Sequence, residues 1–320
     1  MTTPVTALVS LAAALVATPL AMVVARRYGV LDRPGALKSQ AEAVPYLGGV
    51  GVFIALAVGV LAARPSLLIP LAGALALGVA DDRFDIPAPA RLAGEVVIGV
   101  AVVVTCPLHL AGWAGVMLVV PVTVLLINGV NLLDGLDLLA GGVVAVAAVG
   151  FALLLHGGGR QVAVALAAGL VGFLVFNRPP ARIYLGDGGA YLMGTSLAVL
   201  LAGAWAPGTA LTTGAAALAL VAVPAAEVAF AVLRRLRGRR ALMAGDRGHP
   251  YDQLVARGWP PLLSSLAYVA VQTVVTVAAV LVARHSSLPA AVTVDVLCAG
   301  ILVGLAAATG ALSPDQEART

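Results

Sequence analysis

Three short acidic clusters stand at the ends of apolar runs in this 320-residue chain: Asp81-Asp82-Arg83-Phe84-Asp85, Asn128 through Asp137, and Gly186-Asp187-Gly188-Gly189. A carboxylate beside hydrocarbon is costly and needs a partner, so it usually marks function. Asp81 and Asp82 are adjacent like charges that stay ionised together only with a cation close by. Mg2+ suits such a pair, because it takes carboxylates and substrate phosphates while keeping several waters. The competing reading is a solvated acidic turn ahead of the helix breaker Pro87. In the second cluster Asn128, Asn131, Asp134 and Asp137 recur at spacings of three, which aligns them on a helix surface, while Gly135 permits a break. Each polar group left unsatisfied near hydrocarbon costs several kcal/mol, so the four demand a polar cavity or a structural network. Asp187 opens an apolar run among glycines. It could simply cap a helix, but those glycines also admit a phosphate to a helix N-terminus.

The elements that must carry these clusters are membrane helices. The chain is 61% hydrophobic and 11% charged, with mean hydropathy +1.04, a balance outside the range of water-soluble domains. Apolar runs cover 4–25, 47–63, 66–80, 92–108, 113–130, 138–155, 161–177, 188–205, 209–233, 261–283 and 288–309. The expected fold is an all-α polytopic membrane bundle of about eleven transmembrane helices, forming one domain over 1–320. Their Ala, Val, Leu and Gly content favours close helix approach. Of the 19 Lys and Arg, all but Arg64, Arg160 and Arg284 fall in the connections of one side. By the positive-inside rule the N-terminus lies outside and the C-terminus is cytoplasmic. The first run is followed, not preceded, by Arg26-Arg27, the wrong order for a cleaved signal peptide. The spans follow from hydropathy alone, yet they put Asp81, Asp82, Asp85, Asp134, Asp137, Asp187, Asp246 and Asp252 on one face, the cytoplasmic one. The three clusters can therefore share a site.

The longest inner connections, 26–46 and 234–260, are where binding residues tend to reside. The arginine run Arg234 to Arg240 reads as a cytoplasmic stop, with anionic lipid as a further contact. Cys106 and Cys298 read as small core residues, without metal-ligand or disulfide spacing. Glu227 and Asp295 are taken as the only acids left inside spans or toward the outer face; Glu227 is either a buried polar contact or a groove residue. The net charge of +4 reports orientation, not nucleic-acid binding.

The three strings together resemble the signature motifs of the polyprenyl-phosphate N-acetylhexosamine-1-phosphate transferases. The DDxxD pattern matches Asp81 to Asp85, NxxNxxDGxDGLA matches Asn128 to Ala140, and GDxGS matches Gly186 to Ala190. Lys38 and Pro45-Tyr46-Leu47-Gly48-Gly49 resemble the family's first cytoplasmic loop, and Gly245-Asp246-Arg247-Gly248-His249 resembles its last, DRxHxHH. The resemblance covers nearly the whole chain. It implies transfer of a sugar 1-phosphate from a UDP-sugar to polyprenyl phosphate, giving UMP and a lipid diphosphate sugar that starts a cell-envelope glycan. It further implies Mg2+ as cofactor, with Mn2+ as a substitute, in a bacterial-type plasma membrane with the active site on the cytoplasmic face.

The same resemblance assigns Asp81, Asp82, Asp134 and His249 to catalysis, and Asp187 with Asp134 to the metal. Lys38, Asn128, Asn131, Asp137, Asn177, Tyr184, Asp246 and Arg247 are assigned to substrate, with Tyr184 stacking on the base. Departures occur at Leu138, where the family has Gly, at Ala190 in place of Ser, and at Tyr251-Asp252 where two histidines are common. The missing run of histidines argues against a MurNAc-pentapeptide donor and leaves UDP-GlcNAc as the simplest choice. Partners are the UDP-sugar, polyprenyl phosphate and membrane lipid, and a homodimer is compatible with the sequence. Three other readings remain: the MurNAc-pentapeptide transferase of the same family, an intramembrane prenyltransferase, and a cation-coupled transporter. The last needs acids near the midplane with access from both sides.

Overall fold

A computed structural model of the chain describes residues 1–32, 43–106, 113–241, 248–285 and 287–313. Thirteen helices are assigned among them, and each of the eleven apolar runs falls on one or two of these. They are α1 (Thr3–Tyr28), α2 (Gly48–Ala63), α3 (Leu68–Phe84), α4 (Ala88–Thr105), α5 (Trp113–Leu133), α6 (Leu139–Leu154) and α7 (Gly157–Asn177). After these come α8 (Gly186–Ala204), α9 (Leu211–Leu220), α10 (Ala222–Arg237), α11 (Pro250–Ala256), α12 (Pro261–His285) and α13 (Leu288–Ala308). The only strand pairing among the described residues is a two-residue antiparallel ladder of β1 (Leu31–Asp32) with β2 (Val44–Pro45).

Six helices, α1, α4, α5, α7, α12 and α13, are long and apolar enough to cross a membrane; α9 and α10, bent by 56° at their junction, add a seventh if counted as one span. The remaining apolar runs fall short for definite reasons. Helices α2 and α6 have 16 residues each. Helix α3 ends in Asp81-Asp82-Arg83, and α8 opens on Gly186-Asp187. Large apolar side chains such as Leu8, Val97, Val104, Met117, Val274 and Val296 stand exposed on the outer helices. A face of that kind is stable only against lipid. The chain is an all-α membrane protein.

Helix α8 is the axis of the bundle. It packs against α3 and α5, with α2 alongside, and nearly all its residues from Gly188 onward are buried. Glycine makes that possible where α8 begins. A Cβ at Gly49 of α2 would lie 2.4 Å from the Gly189 Cα, and one at Gly78 of α3 would lie 2.4 Å from the Asp187 carbonyl carbon and oxygen. Backbones therefore meet directly around Asp187. A second group, α1, α2, α6 and α7, surrounds the fully buried Phe151 and Phe173. Helix α12 lies against α6 and α9, and α13 against α9.

Candidate active site

The C-terminal ends of α3 and α5 meet the N-terminal end of α8, and these ends carry the three clusters. Gly186 adopts φ +74°, and a Cβ there would strike the Tyr46 carbonyl oxygen at 2.4 Å, so only glycine makes this turn. The chain around it is pinned to the first loop. Tyr184 donates its N–H to the Pro45 carbonyl at 2.7 Å, and Gly48 and Gly49 donate to the carbonyls of Tyr184 and Leu185 at 3.0 Å. The Pro45-to-Gly49 string is thus the backing of the third cluster.

Asp187 does not cap its own helix. The cap comes from α3: Asp82 accepts N–H bonds from Asp187 at 3.1 Å and Gly188 at 3.3 Å. The Asp187 side chain is thereby left to face α5, where Asn131 Nδ2 donates to it at 2.6 Å. Asp134 lies one turn beyond Asn131, and among the described residues no hydrogen bond or ion pair reaches its carboxylate. Burial, then the charges of Asp187, Asp82 and Asp137, hold the Asp134 carboxyl well above the usual carboxylate range. Asp82, Asn131, Asp134 and Asp187 thus form one interacting group drawn from three helices.

The loop 134–138 is braced on its other side. Ala181 N–H donates to Asp137 Oδ2 at 2.9 Å, and Ser265 Oγ donates to the Asp137 carbonyl at 2.8 Å. Burial raises the Asp137 carboxyl despite the Ala181 bond. Asn177 is buried, accepting from Leu138 N–H at 2.9 Å and donating to the Ile183 carbonyl at 3.0 Å, so its amide ties the second cluster to the third. Leu138 stands at φ +70° where the family pattern has Gly. A left-handed non-glycine residue costs about 1–2 kcal/mol, and the Asn177 bond helps to hold it. Tyr184 is close enough to Asp137, Asp32 and Asp134 that burial and their charges push its phenol up to about 12.

Other sequence-derived residues face elsewhere. Asp81 is buried and accepts three bonds, from Tyr191 Oη at 2.6 Å, Ile86 N at 3.0 Å and Arg91 Nη1 at 3.3 Å. Asn128 turns to α4, donating to Glu95 Oε2 at 2.6 Å, and Glu95 lies 3.9 Å from Arg91 Nε. Asn128, Glu95, Arg91, Asp81 and Tyr191 form a linked chain beside these acids, buried at Glu95, Asp81 and Tyr191. Glu95 is a third acid inside an apolar run, so Glu227 and Asp295 are not the only ones. Its signal was the opposite charge four residues earlier, an i,i+4 pair at a helix start. Tyr191 carried no comparable signal beyond its place one turn after Asp187.

The arginine run is likewise more than a stop. Arg234 and Arg235 are buried, and Arg234 Nη1 donates to the Ala311 carbonyl at 2.9 Å, beside Arg237 on Leu312 at 3.3 Å and Arg257 on Ala308 at 3.1 Å. Three guanidinium groups satisfy carbonyls at the end of α13, where the helix dipole favours cations. Glu227, a span residue in the sequence reading, bonds His249 Nδ1 at 2.8 Å. Lys38, Asp246 and Arg247 lie outside the described residues.

The profile of glycosyl transferase family 4 matches residues 65–204, from the start of α3 to the end of α8. Curated relatives extend the likeness beyond that core. A decaprenyl-phosphate N-acetylglucosaminephosphotransferase of Mycolicibacterium smegmatis is 30% identical over 307 residues, covering 79% of this chain and 76% of the relative. A probable undecaprenyl-phosphate N-acetylglucosaminyl 1-phosphate transferase of Bacillus subtilis is 27% identical over 298 residues, covering 85% and 83%. An undecaprenyl-phosphate alpha-N-acetylglucosaminyl 1-phosphate transferase of Escherichia coli is 27% identical over 264 residues, covering 74% and 72%. With 30% identity over most of the length, the chain belongs to the polyprenyl-phosphate N-acetylhexosamine-1-phosphate transferases of glycosyl transferase family 4.

Proposed function

We propose that the protein transfers N-acetylglucosamine 1-phosphate from UDP-GlcNAc to a polyprenyl phosphate, giving polyprenyl diphosphate N-acetylglucosamine and UMP. An oxygen of the lipid phosphate forms a bond to the phosphorus that carries the sugar. The bond from that phosphorus to the bridging oxygen breaks, and its electron pair leaves with UMP. The observation that carries this reading is the interlocked group Asp82, Asn131, Asp134 and Asp187, held open at Asp134 while its other members are tied to backbone or amide. The names of the relatives supply the sugar and the lipid class and favour this reading over the MurNAc-pentapeptide, prenyltransferase and transporter alternatives.

Mg2+ is the proposed cofactor, with Mn2+ as substitute. Among the described residues no three His, Cys, Asp or Glu are arranged to hold a metal alone. That fits Mg2+, which is commonly bound by one or two carboxylates together with substrate phosphates. Asp187 and Asp134 would hold it, and when bound it supplies charge neutralisation between lipid phosphate and diphosphate. Asp82 positions Asp187 by capping α8, and Asp81 positions the end of α3. Asp137 and Tyr184 line the nucleotide side, with Lys38 and Arg247 as phosphate contacts. The proposed topology has eleven spans, with the N-terminus outside and the site on the cytoplasmic face of a bacterial plasma membrane; the basic residues of the connections support it.

The test is purified protein with Mg2+, polyprenyl phosphate and a panel of UDP-sugars. UMP release with UDP-GlcNAc, dependent on the lipid, is the expected result. Folded protein that releases UMP from none of the donors, or that releases UDP, overturns the proposal.

A further inference from the structure

The last inner loop returns to the bundle through α11, and its one histidine is not a surface residue. His249 is 3% exposed and its Nδ1 lies 2.8 Å from Glu227 Oε2 on α10. Glu227 is 1% exposed, and its second oxygen, Oε1, accepts from Tyr268 Oη of α12 at 2.6 Å. Both oxygens of a carboxylate within a membrane helix are thus occupied, one by an imidazole and one by a phenol. A carboxylate in that setting is tolerated because it is paired.

The ring of His249 is fixed in plane as well as in direction. Tyr251 stacks on it with ring centroids 5.5 Å apart and planes at 10°, and Tyr268 meets Tyr251 edge-on at 6.0 Å. Tyr251 in turn fastens the group to the acidic loop. Its hydroxyl donates to the Leu132 carbonyl at 2.8 Å, and a Cβ on Gly135 would come within 2.3 Å of that same hydroxyl oxygen. Gly135 directly follows Asp134, so the ring stacked on His249 contacts the acidic loop next to that residue. Tyr251 occupies a position where the family commonly has a second histidine, and it uses the place to bind backbone.

We infer that Glu227, held by Tyr268, is a positioning residue that fixes the Nδ1–H tautomer of His249, with Nε2 as the nitrogen that serves the transfer. A carboxylate on one imidazole nitrogen sets which nitrogen carries the proton and which is available for chemistry. Tyr251 sets the plane of the ring and its distance from the Asp134 loop. The inference rests on the transferase reading for what Nε2 meets; the dyad itself rests on geometry alone.

Two measurements on the full-length protein in lipid nanodiscs test it. Nitrogen-15 spectra of histidine-labelled protein, with His249 assigned through His249→Asn, report the tautomer. The Nδ1–H form in the wild type, altered in Glu227→Gln, is expected. A wild-type Nε2–H form overturns the inference without any assay of turnover. Kinetically, Glu227→Gln should lower kcat at least 10-fold with the KM for UDP-GlcNAc within two-fold, and Glu227→Asp should recover part of the loss. The double variant Glu227→Gln, His249→Asn should be no slower than His249→Asn alone, because one residue acts through the other. Wild-type turnover in Glu227→Gln, or losses that add in the double variant, overturn it. If Glu227→Gln fails to fold, Tyr268→Phe should give the same kinetic pattern more weakly, and an unchanged kcat there overturns it too. Absence of activity in the wild type would instead sink the transferase reading and leave the spectroscopic arm standing.

Discussion

At the scale of single residues, most of the acids gathered around Asp187 are spoken for, while no described residue bonds the Asp134 carboxylate. Asp81 takes three donors, Asp82 takes two backbone N–H groups, and Asp187 takes Asn131. Asp187→Asn should therefore abolish turnover, by more than ~100-fold, while leaving the protein monodisperse; a near-wild-type rate would remove Asp187 from the metal. Asn131→Ala should cost about 10–100-fold in rate or Mg2+ affinity, as for other groups that orient a metal ligand. Asp134 gives a pH prediction. Its carboxyl is raised in the folded protein, so the metal-free form is favoured at low pH and loses that advantage as pH rises from the ordinary carboxylate range through the raised value. Bound Mg2+ requires the ionised form, so the rise in Tm on adding Mg2+ should grow with pH over that window. A rise in Tm that shrinks or stays level would contradict the pairing of Asp134 with the metal. Spacing in the sequence pointed to Asp82, Asn131, Asp134 and Asp187, which gather here, and equally to Asp81 and Asn128, which face Arg91 and Glu95. It could not reveal that Asp82 caps α8 from another helix, nor that Asn128 faces Glu95, because both depend on how α3, α4 and α5 are rotated against their neighbours.

Among the elements, the close meeting of α2, α3 and α8 decides where Asp187 stands. Gly78 supplies a direct test because α3 contains a matched control. An alanine Cβ at Gly78 would lie 2.4 Å from the Asp187 carbonyl, whereas one at Gly73 meets nothing nearer than Ile98 at 3.9 Å. Gly78→Ala should lower stability by about 1–3 kcal/mol and reduce turnover. Gly73→Ala should be neutral or stabilise by up to ~1 kcal/mol, since alanine is the better helix former. Thermal unfolding of the two variants side by side reads the difference, and equal effects would refute the close approach. Asn128→Ala should cost about 1–3 kcal/mol by leaving Glu95 with only Arg91, 3.9 Å away, inside the bundle; an unchanged Tm would show that the α4–α5 contact is not maintained by that bond. Hydropathy located the eleven apolar segments, each of which lies on one or two helices, because each is more apolar than the connections. It missed the 56° break between α9 and α10, since 209–233 reads as one continuous apolar run. It also read Arg234 only as part of a cytoplasmic stop, because its partner is a carbonyl distant in sequence, that of Ala311.

For the whole molecule, the arrangement joins two environments. The outer helices carry exposed apolar faces suited to lipid, while the ends of α3, α5 and α8 gather carboxylates suited to a water-borne diphosphate. A catalyst that moves a charged group onto a membrane-anchored phosphate needs both within reach of one set of side chains. Family membership and the fold agree on the core, since the matched stretch 65–204 runs from α3 to α8 and contains all three clusters. The histidine loop lies beyond that stretch, and its role was the least legible from sequence because its partners, Glu227 and Tyr268, sit in separate apolar runs. The central claim is that phosphate travels with the sugar. The most direct measurement uses UDP-GlcNAc labelled at the phosphorus nearest the sugar, incubated with the protein, Mg2+ and polyprenyl phosphate, followed by extraction of the lipid. Label and N-acetylglucosamine are expected together in the lipid phase, in equal amounts, with UMP left in water. Sugar in the lipid phase without the labelled phosphorus, or label retained in the aqueous phase as UDP, would contradict it.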